Sequence, residues 1–248
     1  MLSVVVPAYS EESRLPSTLE AIRTYLSSRE HEIVVVDDGS SDRTAEVAER
    51  FGCRVVRHPR NLGKGAAVKS GVLASRGDLV LVTDADLAAP IAELPKLEAA
   101  LERGAAVAIG SREAPRAAVR RTSFKRKLAG KVFNILVRLL TGLPCRDTQC
   151  GFKLFHGEAA RALFFLAECR GYCFDVEILL LARELGFKVE EVGVEWHDRP
   201  GSKVRLLRDG WRMLWELLEL REEASCPGGA AVPLRATNPT GPGATERT

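Results

Sequence analysis

The sequence predicts an α/β fold, a mostly parallel sheet flanked by helices, and three observations carry that reading. Short β-branched apolar runs recur at 2–6, 32–36, 54–56, 79–83 and 105–109. They are apolar at successive positions, as strands buried on both faces require. Each interval leaves room for one helix and carries helix-start signals, so the pattern reads βαβαβαβαβ.

In chain order, the run 2–6 is the first strand, and Ser13 and Pro16 open a helix whose apolar side is Leu19, Ile22 and Leu26. After the strand at 32–36, Ser41 and Asp42 precede a helix bearing Val47 and Phe51. Strands at 54–56, 79–83 and 105–109 follow, each with a helix-length interval before the next. Beyond Gly110 the character changes: residues 112–131 hold eight basic side chains against one acid, Glu113, and Leu128 to Leu140 then run at near-helical spacing. The region 145–196 supplies a further strand at 152–155, two helices and a strand at 188–194. A last amphipathic helix spans 204–221, with Trp211 and Trp215 on its apolar side, as core or as an interfacial anchor. This gives one domain over 1–223, divided at 111, 144 and 200, and a Gly- and Pro-rich tail, 224–248, read as disordered.

Composition excludes several classes. Thirty-six basic against 33 acidic residues leave a net charge of +3, which argues against coating nucleic acid by bulk charge. Met1 leads into the first apolar run without a basic region or cleavage site, so reduced thiols in the cytoplasm are expected for the six cysteines. Neither Cys145 with Cys150 nor Cys169 with Cys173 has zinc-knuckle spacing, and both pairs read as small buried side chains before metal ligands. The longest apolar stretch, 132–143, is interrupted by Arg138 and is too short to span a bilayer as a helix.

In a parallel sheet, right-handed crossovers bring the strand-to-helix junctions to one edge, where ligands bind. Here those junctions are Pro7-Ala8-Tyr9-Ser10-Glu11, Asp37-Asp38-Gly39-Ser40, Asn61-Leu62-Gly63-Lys64-Gly65, Asp84-Ala85-Asp86 and Gly110-Ser111-Arg112. The pair Asp84 and Asp86 can offer oxygens to a hard divalent cation that also holds a diphosphate, or it can flank and cap a turn. Asp37, Asp38 and Lys64 on the same rim favour the cation. The first junction lacks the glycines of a dinucleotide-binding turn, and the Lys64 loop lacks the order of a P-loop, so hydride transfer and ATP hydrolysis are excluded.

Taken in order, these blocks resemble the nucleotide-sugar half of family-2 glycosyltransferases with a GT-A fold, a Rossmann-like sheet. Downstream, Gly110-Ser111-Arg112, the block from Arg146 through Asp147 to Phe155, Phe174-Asp175-Val176-Glu177 and Gly201-Ser202-Lys203-Val204 are similar to dolichyl-phosphate β-glucosyltransferases. The resemblance implies inverting transfer of a hexose, glucose from UDP-glucose, to the phosphate of a polyisoprenoid lipid. By that likeness Pro7, Tyr9, Glu11, Asp37, Asp38, Gly63, Lys64 and Ala85 surround the nucleoside diphosphate sugar. Asp84 and Asp86 hold Mg2+ or Mn2+, and Arg112, Arg126, Arg199 and Lys203 receive the acceptor phosphate. The eukaryotic members of that family carry an N-terminal membrane span; this sequence starts at the first strand.

A phosphate monoester has a second pKa of about 6, so the nucleophile is already ionised and positioning outweighs base catalysis. Asp147 is the remaining catalytic candidate beside Asp86, orienting the acceptor or taking a residual proton; the alternative is an ion pair with Arg146. Asp175 and Glu177 share that ambiguity, and Trp196 reads as packing. The basic and then apolar stretch 112–144 has the makeup of an interfacial element at the cytoplasmic membrane face. Its alternatives are a helix packed on the sheet or on a second subunit of a homo-oligomer, or a nucleic-acid-binding segment, which the acids of the cleft oppose. Another donor, such as GDP-mannose, or a soluble acceptor would use the same cleft.

Overall fold

The computed structural model describes residues 1–120, 124–197, 213 and 215–218. Strand β1 (Leu2–Ala8), helix α1 (Leu15–Tyr25), β2 (His31–Asp37), α2 (Thr44–Arg50), β3 (Arg54–Arg57), α3 (Lys64–Ala74), β4 (Leu79–Val82), α4 (Leu94–Glu102) and β5 (Val107–Ser111) follow in the expected alternation. Then come β6 (Ala118–Arg120), α5 (Phe124–Thr141), β7 (Lys153–His156), α6 (Gly157–Leu166), α7 (Phe174–Glu184), β8 (Val189–Gly193) and β9 (Glu195–His197).

The main sheet has the strand order β3-β2-β1-β4-β7-β5-β8, and only β7 runs antiparallel to its neighbours. The order in which strands are added reverses between β1 and β4, the crevice where open α/β sheets bind ligands. The register puts Ala8 opposite Asp37, Asp37 opposite Arg57 and Val5 opposite Val82, so these strands end on one edge. Antiparallel β7 begins on that same edge, with Lys153 opposite both Val82 and Ile109.

Helices cover both faces. On one, Leu15, Leu19 and Ile22 of α1 and Leu94, Leu97 and Leu101 of α4 pack on Val4, Val6, Leu81 and Leu154. On the other, Val68 and Val72 of α3, Leu163 and Phe164 of α6, Ile178 and Leu179 of α7 and Val137 of α5 pack on Val5, Val80, Val82 and Phe155. Alternate residues of each strand therefore feed opposite cores, which explains why the strands read as unbroken apolar runs.

Two features depart from the expected organisation. The strand expected at 105–109 is shifted to Val107–Ser111, because its pairing with β8 continues through Ser111 opposite Gly193. Within the basic stretch, β6 pairs in parallel with β9 as a separate two-stranded sheet, Val119 opposite Trp196, before α5 begins. The tail 224–248, Trp211, Arg199 and Lys203 lie outside the described residues, as does the side chain of Arg126 in α5.

Candidate active site

Asp84 follows β4 directly and is the hub of the site. Its Oδ1 accepts from Lys64 Nζ at 2.7 Å. Gly151, just ahead of β7, packs so closely against the carboxylate that a Cβ there would stand 2.1 Å from Asp84 Oδ2. The turn is tight: Leu87 N–H donates to the Asp84 carbonyl and Leu87 takes a left-handed φ of 44°, unfavourable for a branched side chain. Asp86 Oδ1 accepts Ala88 N–H at 3.1 Å, and Thr18 of α1 donates to the Ala85 carbonyl at 2.7 Å. Burial, then the adjacent Asp84 charge, raise the Asp86 carboxyl above its ordinary value. Two close carboxylates with hard oxygen donors, one of them partly desolvated, form an arrangement that a divalent cation fits.

Lys64 opens α3. Burial pulls its ammonium down, and the Asp84 and Asp175 carboxylates more than reverse this, holding it above its usual value. The loop that delivers it is fixed by Asp38: Oδ1 accepts from Leu62 N–H at 2.9 Å and faces His58 Nδ1 at 2.7 Å, and Oδ2 accepts from Gly63 N–H at 3.0 Å. His58 Nε2 contacts Ser70 Oγ of α3 at 2.9 Å. Asp37 is buried at the end of β2 and its Oδ1 accepts Ser40 N–H at 3.1 Å. Pro7 lies in β1, Tyr9 is 42% exposed just past it, and Glu11 receives two 2.7 Å hydrogen bonds from Arg14.

On the far side of Asp84, β5 delivers Arg112. Its backbone N–H, Nε and Nη2 donate to Asp147 at 2.9, 2.7 and 2.8 Å. The guanidinium lies over the Trp196 ring, 5.0 Å from its centroid. This corrects one expectation, since the partner of Asp147 is Arg112 and not Arg146; Trp196 packs on the core as expected and also turns its ring face to the Arg112 cation. Burial pushes the Asp147 carboxyl up, but the Arg112 guanidinium outweighs it, and the group stays below its ordinary value. Glu191 of β8 holds the segment by accepting the N–H groups of Arg146 and Asp147. Gln149, between Asp147 and Gly151 in the sequence, has a buried Nε2 that meets no hydrogen-bond partner among the described residues.

Beneath the site, Lys153 pairs with Asp175 of α7, both almost fully buried. A lone lysine within the apolar run 152–155 is the sequence signal for such a partner, because buried ammonium groups are paired. Glu177 accepts the N–H groups of Glu168 and Cys169. Burial pushes the Cys150 thiol up to about 12, and among the described residues no three His, Cys, Asp or Glu side chains gather to hold a metal.

The glycosyl transferase family 2 profile matches residues 3–164. The chain belongs to this family. The glycosyltransferase is 42% identical over 224 residues to dolichyl-phosphate beta-glucosyltransferase ALG5D of Trichomonas vaginalis, which covers 83% of this chain and 68% of that protein. It is 38% identical over 224 residues to the dolichyl-phosphate beta-glucosyltransferase of Homo sapiens, covering 82% and 69%. Among solved structures it resembles glucosyl-3-phosphoglycerate synthase from Mycobacterium tuberculosis in complex with Mn2+, UDP-glucose and phosphoglyceric acid. That likeness has a TM-score of 0.68 at 22% identity, covers 90% of this chain and 80% of the other, and shows a shared GT-A fold.

Proposed function

We propose that this enzyme transfers glucose from UDP-glucose to the phosphate of dolichyl phosphate, or of a similar polyisoprenoid lipid, with inversion at the anomeric carbon. One observation carries the reading. Two cations are fixed at the carboxyl edge of the sheet, Lys64 paired with Asp84 at the end of β4 and the Arg112 guanidinium held by Asp147 at the end of β5. A donor diphosphate and an acceptor phosphate repel one another, and a cleft that brings them together needs cations on both flanks.

Asp84 and Asp86 are the residues that would hold Mg2+ or Mn2+, which supplies positive charge to the departing UDP. Lys64 adds a cation at the same rim, and Pro7, Tyr9, Glu11 and Asp37 shape the nucleotide side, with Asp38 fixing the loop that carries Gly63 and Lys64. Arg112 receives the acceptor oxyanion, whose second pKa of about 6 leaves little need for a base. Asp147 has both oxygens committed to Arg112 and acts by orienting it. Arg126, Arg199 and Lys203 complete the acceptor side in this reading.

The lipid is met at a membrane surface. No helix among the described residues is long and apolar enough to cross a membrane. The outer stripe of α5 instead exposes Val132, Ile135 and Leu139 beside Lys131 and Arg138, apolar side chains for the acyl boundary and cations for headgroups. The five described cysteines are free thiols, as a cytoplasmic face favours. The test is to incubate the purified enzyme with dolichyl phosphate in vesicles and, in turn, radiolabelled UDP-glucose and GDP-mannose. Label from UDP-glucose entering the organic phase supports the reading; label that stays aqueous, on a soluble acceptor, overturns it.

A further inference from the structure

The donor grip is held from behind by a loop that no part of the reaction uses. The first amide of α3 available after Lys64, Gly65 N–H, donates to the Arg170 carbonyl at 2.9 Å and approaches the Gly171 carbonyl at 3.2 Å. The fit is close on both sides of Lys64: a Cβ on Gly63 would lie 2.3 Å from the Arg170 oxygen, and one on Gly65 would lie 2.4 Å from the Cys169 oxygen. Gly63 has a φ of 104°, a conformation open to glycine. The backbone around Lys64 is therefore moulded on residues 169–171.

That loop is in turn pinned from the chain's far end. Glu216 Oε2 accepts Cys173 N–H at 3.2 Å and lies 3.8 Å from Cys169 Sγ. Cys173 Sγ lies 3.1 Å from the Met213 carbonyl, and Leu217 is fully buried beside the α3 and α6 core. A Cβ on Gly171 would stand 2.0 Å from Glu216 Oε1, so the loop turns directly over this carboxylate. The contiguous path runs from Glu216 through the 169–173 loop to Gly65, and from Lys64 to Asp84.

We infer that Glu216 is a positioning residue for the donor site: through the 169–173 loop it fixes the start of α3 and hence the Lys64–Asp84 pair. The acceptor grip, Arg112 with Asp147, hangs on β5, β8 and Trp196 and is reached by a different route. Glu216 thus acts on the donor and not on the acceptor. The functional consequence rests on the donor assignment above; the mechanical coupling does not.

The test compares Glu216→Ala, Glu216→Gln and Gly171→Ala with the wild-type full chain. Removing the carboxylate is expected to raise KM for UDP-glucose about tenfold with the dolichyl phosphate KM within about twofold, the size of one lost charge-assisted hydrogen bond. Glu216→Gln keeps an acceptor oxygen and is expected to return the donor KM to within about threefold of wild type. Gly171→Ala, which displaces the carboxylate without deleting it, is expected to behave like the alanine variant. Hydrogen exchange supplies a readout independent of the sugar donor: amides at 64–66 should exchange about tenfold faster in Glu216→Ala. Unchanged exchange at 64–66 overturns the coupling, and donor and acceptor KM values that rise together overturn the selective role. If the wild-type chain does not use UDP-glucose, the donor assignment fails and the exchange comparison still decides the coupling.

Discussion

Arg112 and Asp147 are 35 residues apart in sequence and are joined by three hydrogen bonds, two to the guanidinium and one to its own backbone N–H, with Asp147 at 0% exposure. The pair converts a flexible side chain on a strand end into a fixed cation stacked on Trp196. A carboxylate with three donors aimed at it is held in its ionised form, which suits the orienting role proposed for it.

Asp147→Asn should lower unfolding free energy by about 1–3 kcal/mol at pH 7, since it leaves a partly buried guanidinium without its counter-charge, the loss being moderated by the 30% of the Arg112 side chain that solvent reaches. Denaturant unfolding measures this. Because the folded carboxyl lies below its ordinary value, its contribution is present above the unfolded pKa of about 3.9 and is lost as pH falls through the lower folded value. The gap between wild type and variant should therefore close only in strong acid.

Gly151→Ala should disable the donor site without unfolding the chain. The new methyl would stand 2.1 Å from Asp84 Oδ2, so the carboxylate has to leave Lys64 or the β7 entry has to move. Overpacking of this kind costs about 1–3 kcal/mol, and titration calorimetry with UDP and Mn2+ should show affinity reduced about tenfold or more.

Asp86→Asn should separate stability from activity. Burial and the Asp84 charge already disfavour the ionised form, so neutralising it should raise the melting temperature in the presence of EDTA. Transfer activity with saturating Mn2+ should nevertheless fall by about 100-fold or more, because the proposed cation site loses one of its two carboxylates. A variant that melts higher and keeps full activity would remove Asp86 from the cation site.

Ile135→Glu with Leu139→Glu should spare the fold and abolish membrane docking. These side chains are 54% and 76% exposed on α5, so stability should change by only about 0.5 kcal/mol. Sedimentation with anionic vesicles should weaken about tenfold per residue, since each withdraws an apolar side chain worth about 1.5 kcal/mol or more when buried.

Much of this architecture was legible in the chain because its determinants are local. Unbroken apolar runs announce doubly covered strands, and acidic or glycine-bearing junctions at their ends announce the ligand edge. That geometry places Asp84, Asp86, Lys64 and Arg112 at the edge; the acceptor role of Arg112 comes only with the family resemblance. What stayed hidden depends on distant partners. Nothing in 152–155 says that β7 runs antiparallel between β4 and β5, and the short β6 run, Ala118–Arg120, becomes a strand only by meeting β9. Asp147 sits next to Arg146 in sequence, yet the strand end of β5 delivers a better-placed guanidinium. Asp38 reads as a nucleotide ligand, and the fold turns its carboxylate onto His58, Leu62 and Gly63.

The most direct measurement is the initial rate of Arg112→Lys as a function of both substrates, since lysine keeps the charge and loses the planar fork. The expected result is a KM for dolichyl phosphate raised about tenfold or more, with the KM for UDP-glucose within about twofold of wild type. An unchanged acceptor KM, or an equal rise for donor and acceptor, would contradict a cleft whose two flanks hold the two anions separately.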